Sequence, residues 1–259
     1  MAVLPETSWN VVSDWYTNLV GDAGHYYHQH VIFPRLGKIW QPNSSTKVLD
    51  MGCGQGVLAA WLGEDVEYVG VDAARSLIEQ ARKRSAGQHS KFEVADVTQP
   101  LPKSVVSNGY FTDIFYILSL QNMRDQQASL MQAYDALQVG GHLHLILNHP
   151  HYRIPRQSGW GEHDKTRQVY RWVNRYLTPQ KIPISAHPGS KNSPITWSFH
   201  HSLTDYSRWF KKLGLAIELI EEWSSDKESK GKVAKQENLV RSEIPLFMYV
   251  CLLKLPIQA

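Results

Sequence analysis

The residues best suited to chemistry stand in one short run, Asp50-Met51-Gly52-Cys53-Gly54-Gln55-Gly56, and at two later aspartates, Asp72 and Asp96. Glycine at every second position lets a ligand approach the backbone, because no Cβ blocks the way. The spacing is G-x-G-x-G, not the G-x-G-x-x-G of a dinucleotide turn, and Asp50 stands two positions before the first glycine. A pyrophosphate would be repelled by that carboxylate, whereas an amino-acid ammonium needs an acceptor there. Asp72 closes the next apolar run and has the place of an acid that takes both hydroxyls of a ribose. It is also placed to cap the helix that begins near Arg75. Asp96 repeats the pattern after a third run. Its carboxylate could accept from an adenine amino group while the Val97 backbone reads the ring, or it could simply shape a turn.

Groups of this kind work together only if a sheet ends its strands on one side. From Lys47 onward, short β-rich apolar runs alternate with helix-like segments, the pattern of a parallel sheet with crossover helices. The pattern predicts strands over 48–51, 67–71, 92–95, 110–117 and 142–147. It predicts helices over 57–62, 75–84 and 125–137, the last stopped at Gly140-Gly141. Residues 151–202 break the alternation with five prolines and several aromatics, and only 165–176 looks helical. An irregular stretch of that length in a compact domain reads as a lid or binding insert. A helix over 203–213 stops at Gly214. Strands over 215–220 and 246–253 follow, with a charged loop over 224–242 between them. Upstream, residues 9–40 read as one or two helices rich in aromatics and histidine.

With these residues in these places, residues 47–150 resemble the core of class I S-adenosylmethionine-dependent methyltransferases. Asp50, Gly52, Gly54 and Gly56 match that family's first motif, Asp72 its second and Asp96-Val97 its third. Residues 118–122 match the segment that flanks the methionyl part, and Gly140-Gly141 the turn before the fifth strand. The resemblance implies an α/β, Rossmann-like three-layer sandwich. Its seven-stranded sheet is mostly parallel with an antiparallel last strand. A helical cap over 1–46 would precede a methyltransferase domain over 47–259, with a lid insert around 151–202. The implied cofactor is S-adenosyl-L-methionine, held by Asp50, Gly52, Cys53, Gly54, Asp72, Ala73, Asp96, Val97, Leu118 and Tyr27. The Asp/Asn-Pro-Pro-aromatic run of amino-directed nucleic-acid methyltransferases is replaced here by Ser119-Leu120-Gln121-Asn122. That argues against such an activity.

Methyl transfer from a sulfonium is an in-line displacement with a good leaving group. Alignment can supply up to about 7–11 kcal/mol of the barrier. A general base is needed only where the acceptor must lose a proton. His149, after the fifth strand, is the first candidate base because its pKa suits that task, though a histidine bonded inside a turn would look the same. Asn148, Arg153, Arg156 and Trp160 could line an acceptor pocket, extended by Arg171, Arg175 and Tyr176. In His25-Tyr26-Tyr27-His28-Gln29-His30, His25 and His28 would share a helix face. This segment reads either as a lid whose Tyr27 and His28 touch the methionyl end or the acceptor, or as a cap packed by its tyrosines. No carboxylate or cysteine completes a metal site there. Thr196 to His201 reads as packing, with His200 and His201 pointing oppositely on a strand.

The rest of the composition bounds the reading. A net charge of +3 among 259 residues would not hold a polyanion, so nucleic acid is not an expected partner. The two cysteines, Cys53 and Cys251, make neither a disulfide framework nor a zinc site, so no metal is expected and a reducing compartment fits best. No secretory signal is visible at the N-terminus and no apolar stretch reaches bilayer length. The expectation is a cytoplasmic monomer or homodimer acting on a small aromatic or apolar metabolite at oxygen, nitrogen or carbon. Alternatives are a protein or RNA acceptor docked by the basic run from Lys227 to Lys235, or a non-catalytic sensor that binds the same cofactor.

Overall fold

Val48 and Leu49 are both fully buried although they point to opposite faces, the mark of a strand covered by helices on two sides. The computed structural model describes residues 9–21, 24–85, 90–105, 108–152, 157–186, 193–231 and 234–256, without the side chains of Asp14, Asn18 and Leu19. The chain begins with α1 (Ser13–Val20), α2 (Phe33–Ile39), β1 (Lys47–Met51), α3 (Val57–Leu62), β2 (Glu67–Asp72), α4 (Arg75–Arg84) and β3 (Ser90–Val94). There follow β4 (Phe111–Ile117), α5 (Gln126–Ala136), β5 (Leu137–Asn148), β6 (Ser158–Glu162), β7 (Val169–Val173), β8 (Gln180–Ser185) and β9 (Ile195–His200). The chain closes with α6 (Leu203–Leu213), β10 (Leu215–Trp223), α7 (Ala234–Glu243) and β11 (Phe247–Lys254).

Seven strands form one sheet in the order β10-β11-β5-β4-β1-β2-β3. Only β11 runs against its neighbours. Leu130 of α5 and Phe210 of α6 pack one face, while Leu36, Leu58 and Ile78 of α2, α3 and α4 pack the other. This is the expected three-layer α/β sandwich. The strand order reverses between β1 and β4, so a crevice opens at their carboxyl ends, where open sheets of this kind take ligands. Among the described residues, no helix is long and apolar enough to cross a membrane.

Before α2 the helical path widens into a π-turn over His28–Ile32. Pro34 explains it: the ring has no N–H to give to the carbonyl four residues earlier, and it crowds that carbonyl. Further along, α6 is fixed by a reciprocal capping box between Ser202 and Asp205, and it ends at a left-handed Gly214 as expected.

Three sequence expectations are corrected. The helix α5 ends at Ala136, before Gly140-Gly141, and β5 starts at once. The glycines serve a bulged part of the strand, where a Cβ on Gly141 would stand 2.8 Å from the Thr112 carbonyl oxygen. Residues 165–176 are not helical, and the insert is not irregular. It folds as two antiparallel pairs, β6 with β7 and β8 with β9. Gly159 and Gly161 of β6 lie under the rings of Trp172 and Tyr170, their direct cross-strand partners, and those pairs outweigh local helix propensity. Finally, the charged loop over 224–242 contains α7.

Candidate active site

The glycine run leaves β1 in left-handed conformations, with φ of 79° at Gly52, 55° at Gly54 and 78° at Gly56. The turn is pinned to the next strand. The Gly52 and Cys53 N–H groups donate to the Val71 carbonyl at 2.7 and 3.1 Å, and the Gly54 N–H donates to Asp72 Oδ2 at 2.9 Å. The other Asp72 oxygen accepts from the Ala74 N–H at 2.8 Å. Burial raises the Asp72 pKa above the usual carboxylate range, opposed by these backbone donors. Asp72 therefore anchors the glycine loop and shapes the turn before α4, whose N-cap is Ala74 without a side-chain cap, so the helix cap expected of Asp72 is not formed.

These groups face one cavity of about 870 Å³ at the carboxyl edge of the sheet. Gly52, Gly54, Asp72, Ala73, Asp96, Val97, Leu118, Tyr27, His28 and Asn148 all line it. Asp96 is shaped by its own turn, its Oδ1 accepting from the Thr98 N–H at 2.9 Å and the Thr98 hydroxyl at 2.8 Å. Leu118 takes a left-handed φ of 54°, which turns the chain sharply after β4. Ser119 then donates to the Met51 carbonyl at 2.6 Å, tying that turn to the glycine loop.

Four expected site residues sit elsewhere. Asp50 does not line the cavity. It is buried beneath the loop, where the Tyr68 hydroxyl donates to its Oδ2 at 2.7 Å and its Oδ1 has no hydrogen-bond partner among the described residues. Burial pushes its pKa up to about 7, with Asp72 adding to the rise. The Cys53 side chain points away from the cavity and packs against Gly70, so only its backbone belongs to the loop.

His149 is the clearest correction. Its N–H donates to the Leu246 carbonyl at 2.9 Å, which turns the ring away from the cavity toward β10. There Nε2 meets Glu222 at 2.7 Å, and Nδ1 accepts from the His151 N–H at 3.3 Å. With both nitrogens engaged outside the cavity, it is not placed as a base. Trp160 likewise lies on β6 outside the cavity, half-exposed beside Arg171 and Tyr152. Arg153 and Arg156 fall outside the described residues.

His28 lines the cavity, yet its Nδ1 accepts from the His25 N–H at 3.1 Å. The neutral ring then carries its proton on Nε2, which makes it a donor. Burial, with His25 nearby, lowers its pKa to about 4. It is a hydrogen-bond donor at neutral pH, not a base.

Several lining residues carried no signal in the sequence. Tyr16 of α1 closes over the loop, its ring and hydroxyl 3.5 Å from where a Gly54 Cβ would stand. Burial and the nearby Asp72 and Asp50 carboxylates raise its hydroxyl pKa. From the insert come Tyr152, Trp197 and Phe199, and from β11 comes Phe247. Trp197 and Phe199, expected as packing, reach the cavity because the insert is bonded to the turn after β4. Ser198 donates to the Gln121 carbonyl at 3.2 Å, and Gln126 donates to the Phe199 carbonyl at 3.1 Å.

Comparison with known proteins agrees with this geometry. Residues 42–237 match the family model described as a methyltransferase domain. The chain is 31% identical over 98 residues to the ubiquinone/menaquinone biosynthesis C-methyltransferase of Desulfotalea psychrophila, a match covering 37% of this chain and 38% of that one. It is 26% identical over 152 residues to the biotin biosynthesis bifunctional protein of Saccharophagus degradans, covering 57% of this chain and 26% of that protein. These matches thus span well under half the length of either relative. The crystal structure of an S-adenosylmethionine-dependent methyltransferase from Mesorhizobium loti superposes with a TM-score of 0.67 at 22% identity, over 85% of this chain and 96% of that one.

Proposed function

The chain belongs to the methyltransferase domain family, and from that premise we propose that it transfers the methyl group of S-adenosylmethionine to a small, largely apolar or aromatic molecule held against the insert. One observation carries this reading. A single cavity runs from the Asp72 and Asp96 tips to the rings of Tyr152, Trp197 and Phe199. Its volume of about 870 Å³ lies near the top of the roughly 300–1,000 Å³ usual for small-molecule sites, room for a nucleoside and a second small molecule.

The residues at the polar end fit the cofactor. The left-handed glycines keep the floor free of Cβ atoms, and the unpartnered Asp50 oxygen sits beneath a place suited to positive charge. In this reading Asp72 takes the ribose hydroxyls, and Asp96 with the Val97 backbone takes the adenine. The backbones of Gly52, Cys53, Gly54 and Ala73 approach the ligand, with Leu118 and Tyr27 flanking its methionyl part. Asp50 acts through the loop by its field. S-adenosylmethionine supplies a methyl group already activated on a sulfonium.

The chain then has to align the acceptor and exclude water. Tyr16 and Tyr27 cover one side, and the β8–β9 pair covers the other. With His149 turned away and His28 a donor, neither histidine is free to take a proton in the cavity. That favours an acceptor atom nucleophilic without losing a proton to either of these two: an amine, an electron-rich carbon or a phenolate ionised beforehand. A macromolecular acceptor gains no support from the basic run, because Lys227 lies 4.8 and 4.9 Å over the rings of Tyr26 and Tyr27.

The test is turnover of S-adenosylmethionine on a panel of small aromatic amines, phenols and quinols, then on the best acceptor with Trp197→Ala. The expected result is a KM raised by about tenfold or more, consistent with roughly 1.5–3 kcal/mol for an apolar side chain buried against a ligand. Cofactor affinity should stay unchanged. Turnover confined to protein or RNA, or a Trp197→Ala variant with unaltered KM, overturns the reading.

A further inference from the structure

Far from the cavity, the sheet brings three different metal-binding groups together on neighbouring strands. His142 Nε2 lies 3.1 Å from Glu218 Oε2, and Cys251 Sγ lies 3.7 Å from the same oxygen. All three donor atoms fall within 4.8 Å of one another. With Zn–N and Zn–O near 2.0–2.1 Å and Zn–S near 2.3 Å, the edges of a tetrahedral site are roughly 3.3–3.8 Å. Two edges are thus nearly in place, and the third needs only a small torsional adjustment.

The strand register explains how they meet. The ladder pairs Ile217 with Leu252 and Leu219 with Cys251, so Glu218 is the extra residue of a bulge. Regular alternation would send Glu218 and Leu219 to opposite faces, and the bulge re-aims Glu218 toward Cys251. Across β5, Cys251 pairs with His144, and His142 lies two residues along on the same face. His144 is not itself available, since Asp113 and Tyr249 hold its two nitrogens at 2.9 and 2.8 Å. Nothing in the linear spacing of one histidine, one glutamate and one cysteine announces this cluster.

We propose that His142, Glu218 and Cys251 form a three-donor site for a divalent, zinc-type cation, with a fourth position open to solvent. Thiolate, carboxylate and neutral imidazole together carry two negative charges, which neutralise such an ion. Sulfur beside nitrogen and oxygen selects zinc-like ions over calcium or magnesium, which prefer all-oxygen sets. Binding forms the metal–sulfur bond and releases the thiol proton to solvent, with no change of oxidation state. Because the thiol proton must leave for the metal–sulfur bond to form, affinity rises with pH. His142 and Asn148 are six residues apart on one strand, roughly 20 Å. The site is therefore separate from the cofactor, and its test does not depend on the acceptor.

The test is titration of untagged protein with Co²⁺, followed by displacement with Zn²⁺. One equivalent of Co²⁺ should bring up a thiolate-to-cobalt charge-transfer band that Zn²⁺ abolishes. His142→Ala, checked for an unchanged melting temperature in metal-free buffer, should bind Co²⁺ at least about 100-fold more weakly, beyond the 10–100-fold seen when an outer partner of a metal ligand is lost. Cys251→Ser should lose the band and Cys53→Ser should keep it. Wild-type protein without the band, or a folded His142→Ala variant of unchanged affinity, overturns the proposal.

Discussion

Replacing Asp72 tests whether one carboxylate both shapes the glycine loop and grips the ribose. An ionised carboxylate offers about four lone-pair sites. Two are occupied within the protein, by the Gly54 N–H at 2.9 Å and the Ala74 N–H at 2.8 Å, so two remain for a pair of hydroxyls. Hydrogen bonds to a charged group contribute about 1.5–3 kcal/mol each. Losing two therefore weakens S-adenosylhomocysteine binding by about 3–6 kcal/mol, a factor of roughly 10²–10⁴. Asp72→Ala also frees two backbone donors, so a lower melting temperature of the unliganded variant is expected and does not by itself bear on the ribose. The decisive assay is calorimetry with S-adenosylhomocysteine and its 2′- and 3′-deoxy forms. In the wild type each missing hydroxyl should reduce affinity by about 10–100-fold, while in Asp72→Ala it should reduce it no further. Penalties that simply multiply, deoxy ligand times variant, would show that the hydroxyls are held elsewhere and refute the assignment.

Three further outcomes follow from groups around the cavity. Burial raises the folded-state pKa of Asp50 to about 7, so its contribution is complete at acid pH and is lost as pH climbs from the unfolded carboxylate range through that value. The loss between about pH 5 and about pH 8 comes to about 2–3 kcal/mol, so Asp50→Asn should gain melting temperature over wild type on going from acid to mildly alkaline buffer, and parallel pH profiles would contradict it. His149→Gln should change kcat by less than about threefold, whereas loss of a general base would lower it by about 10²–10⁴-fold; single-turnover rates decide. Lys227→Ala should weaken cofactor binding by up to about fivefold, since a cation–π contact at an exposed site is worth about 0.5–1 kcal/mol. An unchanged affinity in titration calorimetry would detach that lysine from the cap.

The glycine-loop end of the cavity was legible because it depends on local backbone. Alternate glycines with an acid ahead of them can be read in seven residues, and the structure gives Gly52 and Gly54 the positive φ that only glycine adopts freely. The sheet was legible for the same reason, as each strand and crossover helix carries its own periodicity. The acceptor end depends on contacts made over long separations. Trp197 and Phe199 reach the cavity only through bonds from β9 to Gln121 and Gln126, more than seventy positions away. His149 had the right type and place in the chain, but the Leu246 carbonyl just before β11 decides which way it faces. The helix expected over 165–176 failed because two glycines on the facing strand accept the rings of Trp172 and Tyr170, a pairing invisible within either segment alone.

Closure of the cavity follows the same long-range logic. Its walls come from residues 9–40, the insert and the start of β11, and the segment between β10 and β11 links the first two. Tyr26 donates to Asp226 at 3.0 Å, Lys227 stacks over Tyr26 and Tyr27, and the Gln236 side chain of α7 bonds the Arg167 carbonyl in the insert. These contacts are exposed, and exposed polar pairs contribute only about 0–1 kcal/mol each. The firmer join is apolar, with the Tyr27 ring edge-on to Phe247 at 5.3 Å over the cavity floor. The link from Tyr26 and Tyr27 through this segment to the insert is therefore weak, whereas Ile32, Phe33 and Leu36 keep the base of the same N-terminal segment packed in the core against the sheet that carries the glycine loop.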